Sequence, residues 1–335
     1  MSIIRNTTIG VAASCALVAL APKAALADQG GISFWLPGLF GSLAAVPVTP
    51  GWSFTNIFYH SSVAGGGSTN FLIGGSVVAG IKGRADINLT GVTHTFASPV
   101  LGGQAAFSVF AISGKMLVSI DATLTGPNGN QISGSRTDTV SGFGDMLWQS
   151  TLKWNHGVDN YMIYATGNLP VGAYESNRLA NLGLGHWSVD GGAGYTYFNP
   201  QTGYEFSVVG GLTYNFVNPS LDYKNGIDAH VDWAASKFLT KQLFVGVVGY
   251  AFQQITGDSG SGARLGPFES RTFGIGPQVG MILPVGGGYQ AYMNFKGYKE
   301  FGHENRPEGW NAWLTLSISP AAPEAHATAR PRIVK

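Results

Sequence analysis

The sequence predicts an all-β protein: a closed antiparallel transmembrane β-barrel of 12–14 strands with an N-terminal plug segment. Period-two alternation of apolar and polar residues dominates the chain, as expected of strands whose two faces meet different surroundings. Charged residues make up only 11% of the 335 residues, against about 25% in ordinary proteins. The candidate strands are also long enough to cross a bilayer at a tilt, which takes about 9–11 residues.

Residues 1–27 have the pattern of a secretory signal peptide. Arg5 precedes an apolar run over 9–22, and Ala25–Ala27 forms a small-residue cleavage site. The apolar run is shorter than the roughly 20 residues of a membrane-spanning helix. The one cysteine, Cys15, lies in this run, so we expect an exported mature chain without disulfides.

The segment 28–50 is apolar and rich in Gly and Pro. Pro37 and Pro47 disfavour a long helix or a central strand here. Large apolar side chains would face water if the segment hung free, and burying each contributes about 1.5–3 kcal/mol. We therefore expect a plug inside the barrel, with a periplasmic interaction tail and an extra strand as alternatives. The plug residues predicted to contact a solute are Phe34, Trp35, Leu36 and Phe40.

Alternating patterns over the rest of the chain give the candidate strands of a barrel domain over 51–319. They lie near 52–61, 70–80, 83–93, 104–113, 115–125, 143–155, 160–169, 186–198, 204–217, 226–239, 242–255, 269–282, 288–300 and 310–319. The region from Phe71 to Ala97 is compatible with one kinked strand or with two.

From residue 126 onward the predicted connections alternate between long and short. The long ones are 126–142, 170–185, 218–225, 256–268 and 301–309. Long loops at one end and tight turns at the other are typical of membrane barrels, whose two termini lie in the periplasm. The Pro- and Ala-rich tail, 320–335, is predicted to be disordered.

A soluble β-sandwich would also show alternation, but its surface would carry far more charge. A closed barrel is the one β-structure that satisfies every backbone polar group in hydrocarbon. Together with the export signal, the pattern predicts the bacterial outer membrane, with its lipid, its lipopolysaccharide and the barrel-assembly machinery as partners. The net charge of +1 gives no electrostatic footprint for nucleic acid.

Polar residues that alternate with the apolar ones are predicted to face the lumen, the interior of the barrel. They form either a structural network that stiffens the barrel or a selectivity lining. The selectivity candidates are Asp228, His230, Asp232, Asp145, Lys153, Asp190, Glu205, Lys296 and Glu300, and Lys82, Arg84, Asp86 and Asp121 are also assigned inward.

Asp228, His230 and Asp232 form the sharpest constellation, because a spacing of two places all three on one strand face. A carboxylate beside an imidazole is capable of acid–base work. However, the chain has neither a G-x-S-x-G nucleophile motif nor an H-E-x-x-H metal motif. We therefore predict a protein that is not an enzyme, without catalytic residues, metal or cofactor, and keep an outer-membrane hydrolase as an alternative.

A series of short motifs runs in order along almost the whole mature chain. They are Gly31–Gly38, Phe40–Pro47, Pro99–Gln104, Asp121–Pro127, Gly142–Asp145, Trp154–Gly157, Leu179–Gly183, Gly194–Tyr197, Gly276–Gly280 and Asn305–Trp310. In these motifs the chain resembles the outer-membrane proteins named for the meta-pathway of phenol degradation.

The resemblance implies an outer-membrane barrel distantly similar to long-chain fatty-acid and toluene channels. It further implies uptake of small hydrophobic or aromatic compounds, by passive diffusion through a partly plugged lumen. A structural or adhesive barrel without transport is the alternative. The chain departs from the family pattern in its tail, since such barrels tend to end with their last strand.

Overall fold

The computed structural model describes residues 33–70, 76–125, 128–263 and 267–322. The predicted signal peptide and most of the predicted tail lie outside these residues, so neither is described. Within the described ranges the regular structure consists of β-strands. The strands are β1 (Gly51–Asn70), β2 (Ser76–Thr95), β3 (Gln104–Thr125), β4 (Gln131–His156), β5 (Asp159–Leu169), β6 (Ser188–Asn199), β7 (Tyr204–Asn215), β8 (Asp228–Phe238), β9 (Leu243–Gln254), β10 (Arg271–Gly286), β11 (Tyr289–Glu304) and β12 (Glu308–Pro320).

Each strand pairs antiparallel with its neighbours in sequence, and β1 also pairs with β12, from Phe54↔Ile318 to Ala64↔Glu308. This last pairing closes the sheet, so no strand of the ring is left with an open edge. The predicted fold class, a closed antiparallel barrel, is confirmed with 12 strands. No helix among the described residues is long and apolar enough to cross a membrane.

The candidate strands at 104–113 and 115–125 are one strand, β3, which continues through Gly114. A Cβ atom at this position would lie 2.3 Å from the Asp86 carbonyl oxygen of β2. The glycine therefore permits close approach of two strands and does not interrupt the strand. Likewise 83–93 belongs to β2. Of the candidate at 70–80, Asn70 ends β1 and 76–80 begin β2, and the residues between them lie outside the described ranges.

Two predicted connections were wrong. Residues 131–142 belong to β4, and the connection predicted at 301–309 is reduced to 305–307, between β11 and β12. The beginning of β4, residues 131–139, is almost wholly exposed on both faces, so it lacks the alternation that marks a strand in a sequence.

A β-bulge interrupts the pairing of β3 with β4 within the Gly142–Asp145 motif. Ser113 pairs with Phe143, whereas Ala111 pairs with Met146, so two residues of β4 oppose one of β3. Phe143, next to the bulge, is exposed, whereas Asp145, within it, is buried.

The outer surface carries an apolar belt of the kind that faces lipid, with Trp187 and Trp310 about half exposed. Inside, the wall formed by β1–β4 is largely apolar, with Ile87, Met116 and Val118 buried. The wall formed by β5–β11 is largely polar inside, and segment 33–50 packs against both walls.

Candidate functional site

Segment 33–50 lies against the inner face of the barrel and is held there by a charged pair. The Asp232 carboxylate accepts hydrogen bonds from the backbone N–H groups of Gly38 (2.9 Å) and Phe40 (3.1 Å). The Lys296 ammonium donates to the carbonyl oxygens of Gly38 (2.6 Å), Leu39 (3.1 Å) and Phe40 (3.2 Å). One carboxylate and one ammonium thus bind the donors and the acceptors of a single turn, and we call the two residues the Asp232–Lys296 clamp.

Gly38 has φ of 90° in this turn, and a Cβ there would lie 2.9 Å from the Tyr298 ring. Pro followed by Gly supplies the backbone angles of such a turn, because Gly adopts positive φ without a steric penalty. The Pro37–Gly38 pair therefore sets the shape that the clamp recognises.

A second set of hydrogen bonds holds the segment at Ser42. Its Oγ donates to the Glu205 Oε2 atom at 2.7 Å and lies 2.7 Å from the Ser236 Oγ atom. The Gln278 side-chain amide donates to the same Ser42 Oγ at 2.7 Å. Further along, Lys153 donates to the Val46 carbonyl oxygen at 3.2 Å. The segment thus contacts β4, β7, β8 and β10 as well as β11.

The imidazole of His230 lies at the centre of the polar wall. Its Nε2 atom is 2.9 Å from the Asp190 Oδ2 atom and 3.4 Å from the Tyr164 hydroxyl. Thr213 donates to the same Asp190 oxygen at 2.5 Å. The Trp35 indole stacks on the imidazole, with 3.6 Å between ring centroids and 15° between planes.

The connection between β5 and β6 closes over the inner face of the apolar wall. Asp145 accepts hydrogen bonds from Gly172 N–H (2.9 Å), Leu184 N–H (3.2 Å) and the Asn168 amide (2.7 Å). The β4 bulge thus directs a carboxylate onto this loop, while apolar loop residues pack on the wall. The packed residues are Leu179, Ala180 and Leu182 on the loop and Met116, Val118 and Val140 on the wall.

Burial shifts the pKa values of two titratable groups in the connections between strands. Desolvation lowers the pKa of His186, which donates from Nδ1 to the Trp187 carbonyl oxygen at 3.0 Å. Desolvation likewise raises the pKa of Asp258, which accepts from the Tyr223 hydroxyl and from Gln254. In both groups burial thus shifts the pKa in the direction that penalises the charged form.

The predicted selectivity residues are inward-facing but divide among several partners. Asp232 and Lys296 bind the turn, Asp190 and His230 contact each other, and the remaining side chains bind elsewhere. Glu205 binds Ser42, Lys153 binds Val46, Asp145 binds the β5–β6 loop, Asp228 accepts from Asn215 at 3.0 Å, and Glu300 accepts from Tyr250 at 2.8 Å. Their role in selectivity stays a prediction.

The predicted solute-contact residues of the segment differ in burial. Trp35 is only 1% exposed, whereas Phe34, Leu36 and Phe40 are half-buried. The ring of Phe40 lies 5.8 Å from that of Trp35 and 5.4 Å from that of Tyr164, so the three form one aromatic group. Leu36 instead packs with the apolar wall.

The inward assignment of Lys82, Arg84, Asp86 and Asp121 was wrong. Lys82, Arg84 and Asp121 are exposed, Asp86 is half-buried, and the alternate residues of β2, such as Ile81 and Ile87, are buried instead. In this part of the barrel the β5–β6 loop covers the inner face, so the polar residues face outward.

Sequence reasoning missed Tyr164, Thr213 and Gly211, which complete the surroundings of His230. Gly211 pairs with His230 across β7 and β8, and a Cβ at this position would lie 2.1 Å from the Tyr164 hydroxyl. The signal was available, because the Gly191–Gly192 and Gly210–Gly211 pairs fall on neighbouring strands. Two adjacent glycine pairs indicate a place where large side chains need room.

The polar wall is rich in carboxylates. Among the described residues of β4–β11, the buried acidic side chains are Asp145, Asp190, Glu205, Asp228, Asp232 and Glu300, whereas Lys296 is the buried lysine. No group of three or more described His, Cys, Asp or Glu residues has a metal-binding arrangement.

An outer-membrane channel of known structure shares this fold, and two further barrels are less similar. An outer membrane channel from Pseudomonas putida F1 is 14% identical, with a TM-score of 0.61 over 82% of this chain and 97% of that chain. A Pseudomonas aeruginosa FadL homologue is 6% identical, with a TM-score of 0.39 over 87% and 97%. The translocator domain of the Neisseria meningitidis autotransporter NalP is 11% identical, with a TM-score of 0.35 over 83% and 91%.

No curated protein matches the chain significantly in sequence. A family profile does match, over residues 66–316, and its description is "Putative MetA-pathway of phenol degradation". The matched region runs from the end of β1 into β12 and takes in the strands that bear His230, the clamp and the bulge. Because it extends over about three quarters of the sequence, the chain belongs to this family.

Proposed function

We propose that the protein is an outer-membrane channel for passive uptake of small hydrophobic or aromatic compounds, and that segment 33–50 acts as its plug. The observation that carries the proposal is the clamped segment inside a closed barrel. Its turn is bound by Asp232 and Lys296, and its Ser42 by Glu205. Apart from its chain connection to β1, the segment is attached to the barrel by noncovalent contacts, so it is able to move aside and reopen the lumen.

The apolar side of the lumen is suited to the passage of a hydrophobic solute. One apolar cluster includes Leu179 of the β5–β6 loop, Val118 and Ile87 of the wall, and Leu36 and Leu39 of the segment. It therefore connects the loop end of the barrel with the plug. A hydrophobic molecule that followed this surface would stay in apolar contact until it reached the plug.

The location in the outer membrane rests on the apolar outer belt, on the predicted signal peptide and on the fold shared with an outer membrane channel. In this orientation the longer connections face outward and both termini are periplasmic. Outer-membrane lipid, lipopolysaccharide and the barrel-assembly machinery are the partners that follow. The contacts of His230, which are Asp190, Tyr164 and Trp35, favour a stacking site over the hydrolase alternative.

A reversible disulfide between segment 33–50 and the barrel tests whether the segment acts as a plug. The Oγ atoms of Ser42 and Ser236 are 2.7 Å apart, so Ser42→Cys with Ser236→Cys places two thiols within reach of a disulfide. We expect the oxidised variant to show low single-channel conductance and slow toluene uptake by intact cells. Reductant should raise both, because the plug is then free to leave.

A matched pair of substitutions controls for redox treatment. Thr93 and Ser108 also have side-chain oxygens 2.7 Å apart, but they join β2 to β3 within the wall. The double cysteine variant at these positions should show the same conductance with and without reductant. Equal conductance of the oxidised and reduced Ser42–Ser236 variant would overturn the plug, and unchanged toluene uptake in cells lacking the protein would overturn the transport function.

A further inference from the structure

The most closely stacked pair of rings in the polar wall joins the plug to the barrel. The Trp35 indole covers one face of the His230 imidazole at 3.6 Å, nearly parallel to it. The Tyr164 ring lies 6.1 Å from the indole at an interplanar angle of 32°. Trp35 and His230 are 1% and 2% exposed. The barrel thus contributes a flat slot, built by β5 and β8, that holds one planar ring.

The indole fills this slot without satisfying its polar atoms. The Trp35 Nε1, His230 Nδ1 and Asp190 Oδ1 atoms are buried and have no hydrogen-bond partner among the described residues. Buried polar atoms are nearly always paired, so three unpaired atoms in one cluster are unusual. A ring that carries a hydroxyl or amino group would stack as the indole does and offer a partner to the imidazole or the carboxylate.

The charges around the slot further restrict which solute ring can bind there. Asp190 lies against the imidazole, and Asp232 follows His230 by two residues on the same face of β8. The Asp232 carboxylate is bound by plug N–H groups, which leave with the plug. Among the described residues, the cations of this region are the buried Lys296 and the half-buried Arg306, which lies 5.1 Å from the Phe252 ring. The buried carboxylates Asp190, Asp228 and Asp232 outnumber them, so the surroundings of the opened slot carry an excess of negative charge. A solute that carries its own carboxylate is disfavoured there.

We propose that the face of His230 covered by Trp35 is a binding site for a planar aromatic solute that is neutral or cationic and carries a hydroxyl or amino group. Solute and Trp35 compete for the same face, so binding of the solute displaces the plug. This site rests on the proposed channel function and deepens it by naming the class of solute.

The test uses the full-length protein labelled with 5-fluorotryptophan, in detergent. Trp35→Phe identifies the Trp35 fluorine resonance, and Trp310, about half exposed on the outer surface of β12, serves as the internal control. Phenol and aniline should shift the Trp35 resonance and leave that of Trp310 unchanged. Cyclohexanol, which lacks a π-face, and benzoate, which carries a carboxylate, should each require at least about tenfold higher concentration.

Two variants separate stacking from charge. His230→Gln removes the ring and should abolish the response to phenol, and the mobility of unheated samples on SDS gels verifies that the barrel is folded. Asp190→Asn removes one carboxylate and should reduce the discrimination against benzoate. If phenol does not shift the Trp35 resonance, or if phenol and benzoate shift it equally, the proposed binding site is wrong.

The outcome is distinguishable from that of the channel proposal. If reductant raises the conductance of the Ser42–Ser236 cysteine variant while the Trp35 resonance ignores phenol, the plug stands and the site fails. If the resonance responds but the tether has no effect on conductance, the site stands and the plug fails.

Discussion

The strands of the two halves of the barrel differ in length and in the side on which they carry polar residues. Strands β1–β4 have 20, 20, 22 and 26 residues, whereas β5–β9 have 11 or 12. The short strands turn polar residues such as Asp190 and His230 inward. The far parts of β2 and β3 turn apolar residues such as Ile81 and Val118 inward and Lys82 outward.

The same alternation therefore has opposite meanings in the two halves. A strand of 11 or 12 residues just spans the bilayer, so its apolar face contacts lipid. A strand of 20 residues extends about 30 Å beyond the bilayer, at about 3.3 Å per residue, and the polar face of this extension contacts water. Its inner face is then covered by protein, here by the β5–β6 loop. The following variants test this contrast.

The largest effect is expected from a charge on the inner face of the long half. Val118→Asp places a carboxylate among apolar side chains and should lower the free energy of unfolding by more than about 3 kcal/mol. The neighbouring outward variant, Ser119→Asp, would face Lys82 across the strand pair and should be nearly neutral. Urea titrations in detergent measure both, and equal losses would mean that the two faces do not differ.

In the short half, steric room at His230 is the sensitive feature. Gly211→Ala puts a methyl group 2.1 Å from the Tyr164 hydroxyl and 2.9 Å from the His230 Nε2 atom. We expect a loss of about 1–3 kcal/mol in the same urea titrations. Gly297→Ala in β11, with nothing within 4 Å of its Cβ, should change stability by less than about 0.5 kcal/mol. A neutral Gly211→Ala would contradict the packed arrangement.

The loop that covers the long half depends on a carboxylate. Asp145→Ala leaves the Gly172 and Leu184 N–H groups without their acceptor, which costs about 1–3 kcal/mol of local stability. Hydrogen exchange at these two amides should accelerate by about tenfold or more. Asp138→Ala, which removes the acceptor of the Leu179 N–H at a half-exposed position, should have the smaller effect because water replaces it.

The smallest effect is a pH dependence of the same loop. Burial lowers the pKa of His186 below its ordinary 6.5, so its stabilising contribution is complete above 6.5 and is lost as the pH falls below that value. Hydrogen exchange of 170–187, corrected for intrinsic rates, should reveal a lower local stability at pH 5.5 than at pH 7.5. His186→Gln should remove this dependence, and His156→Gln at the exposed end of β4 should retain it.

The sequence predicted the short half well and the long half poorly. The candidates at 204–217, 226–239 and 242–255 match β7, β8 and β9 to within two residues at each end. The alternation is strong there because lipid and lumen differ sharply. In 131–142, water lies on both sides of most residues, so nothing in the pattern distinguishes a strand from a loop.

At the candidate site, alternation predicts which residues share a face but not which of them meet. Asp228, His230 and Asp232 were correctly placed on one face, yet they bind Asn215, Asp190 and the turn at Gly38 respectively. These partners come from other strands or from segment 33–50, so barrel closure and register decide them.

The contacts that hold Ser42 and Gly38 also determine the order in which the molecule assembles. Gly38 is separated in sequence by 194 residues from Asp232 and by 258 from Lys296. The clamp is therefore complete only after β11 has been synthesised and has joined the sheet, so we expect 33–50 to dock fully after that step. The desolvation of the carboxylates that the segment covers is then deferred until it docks.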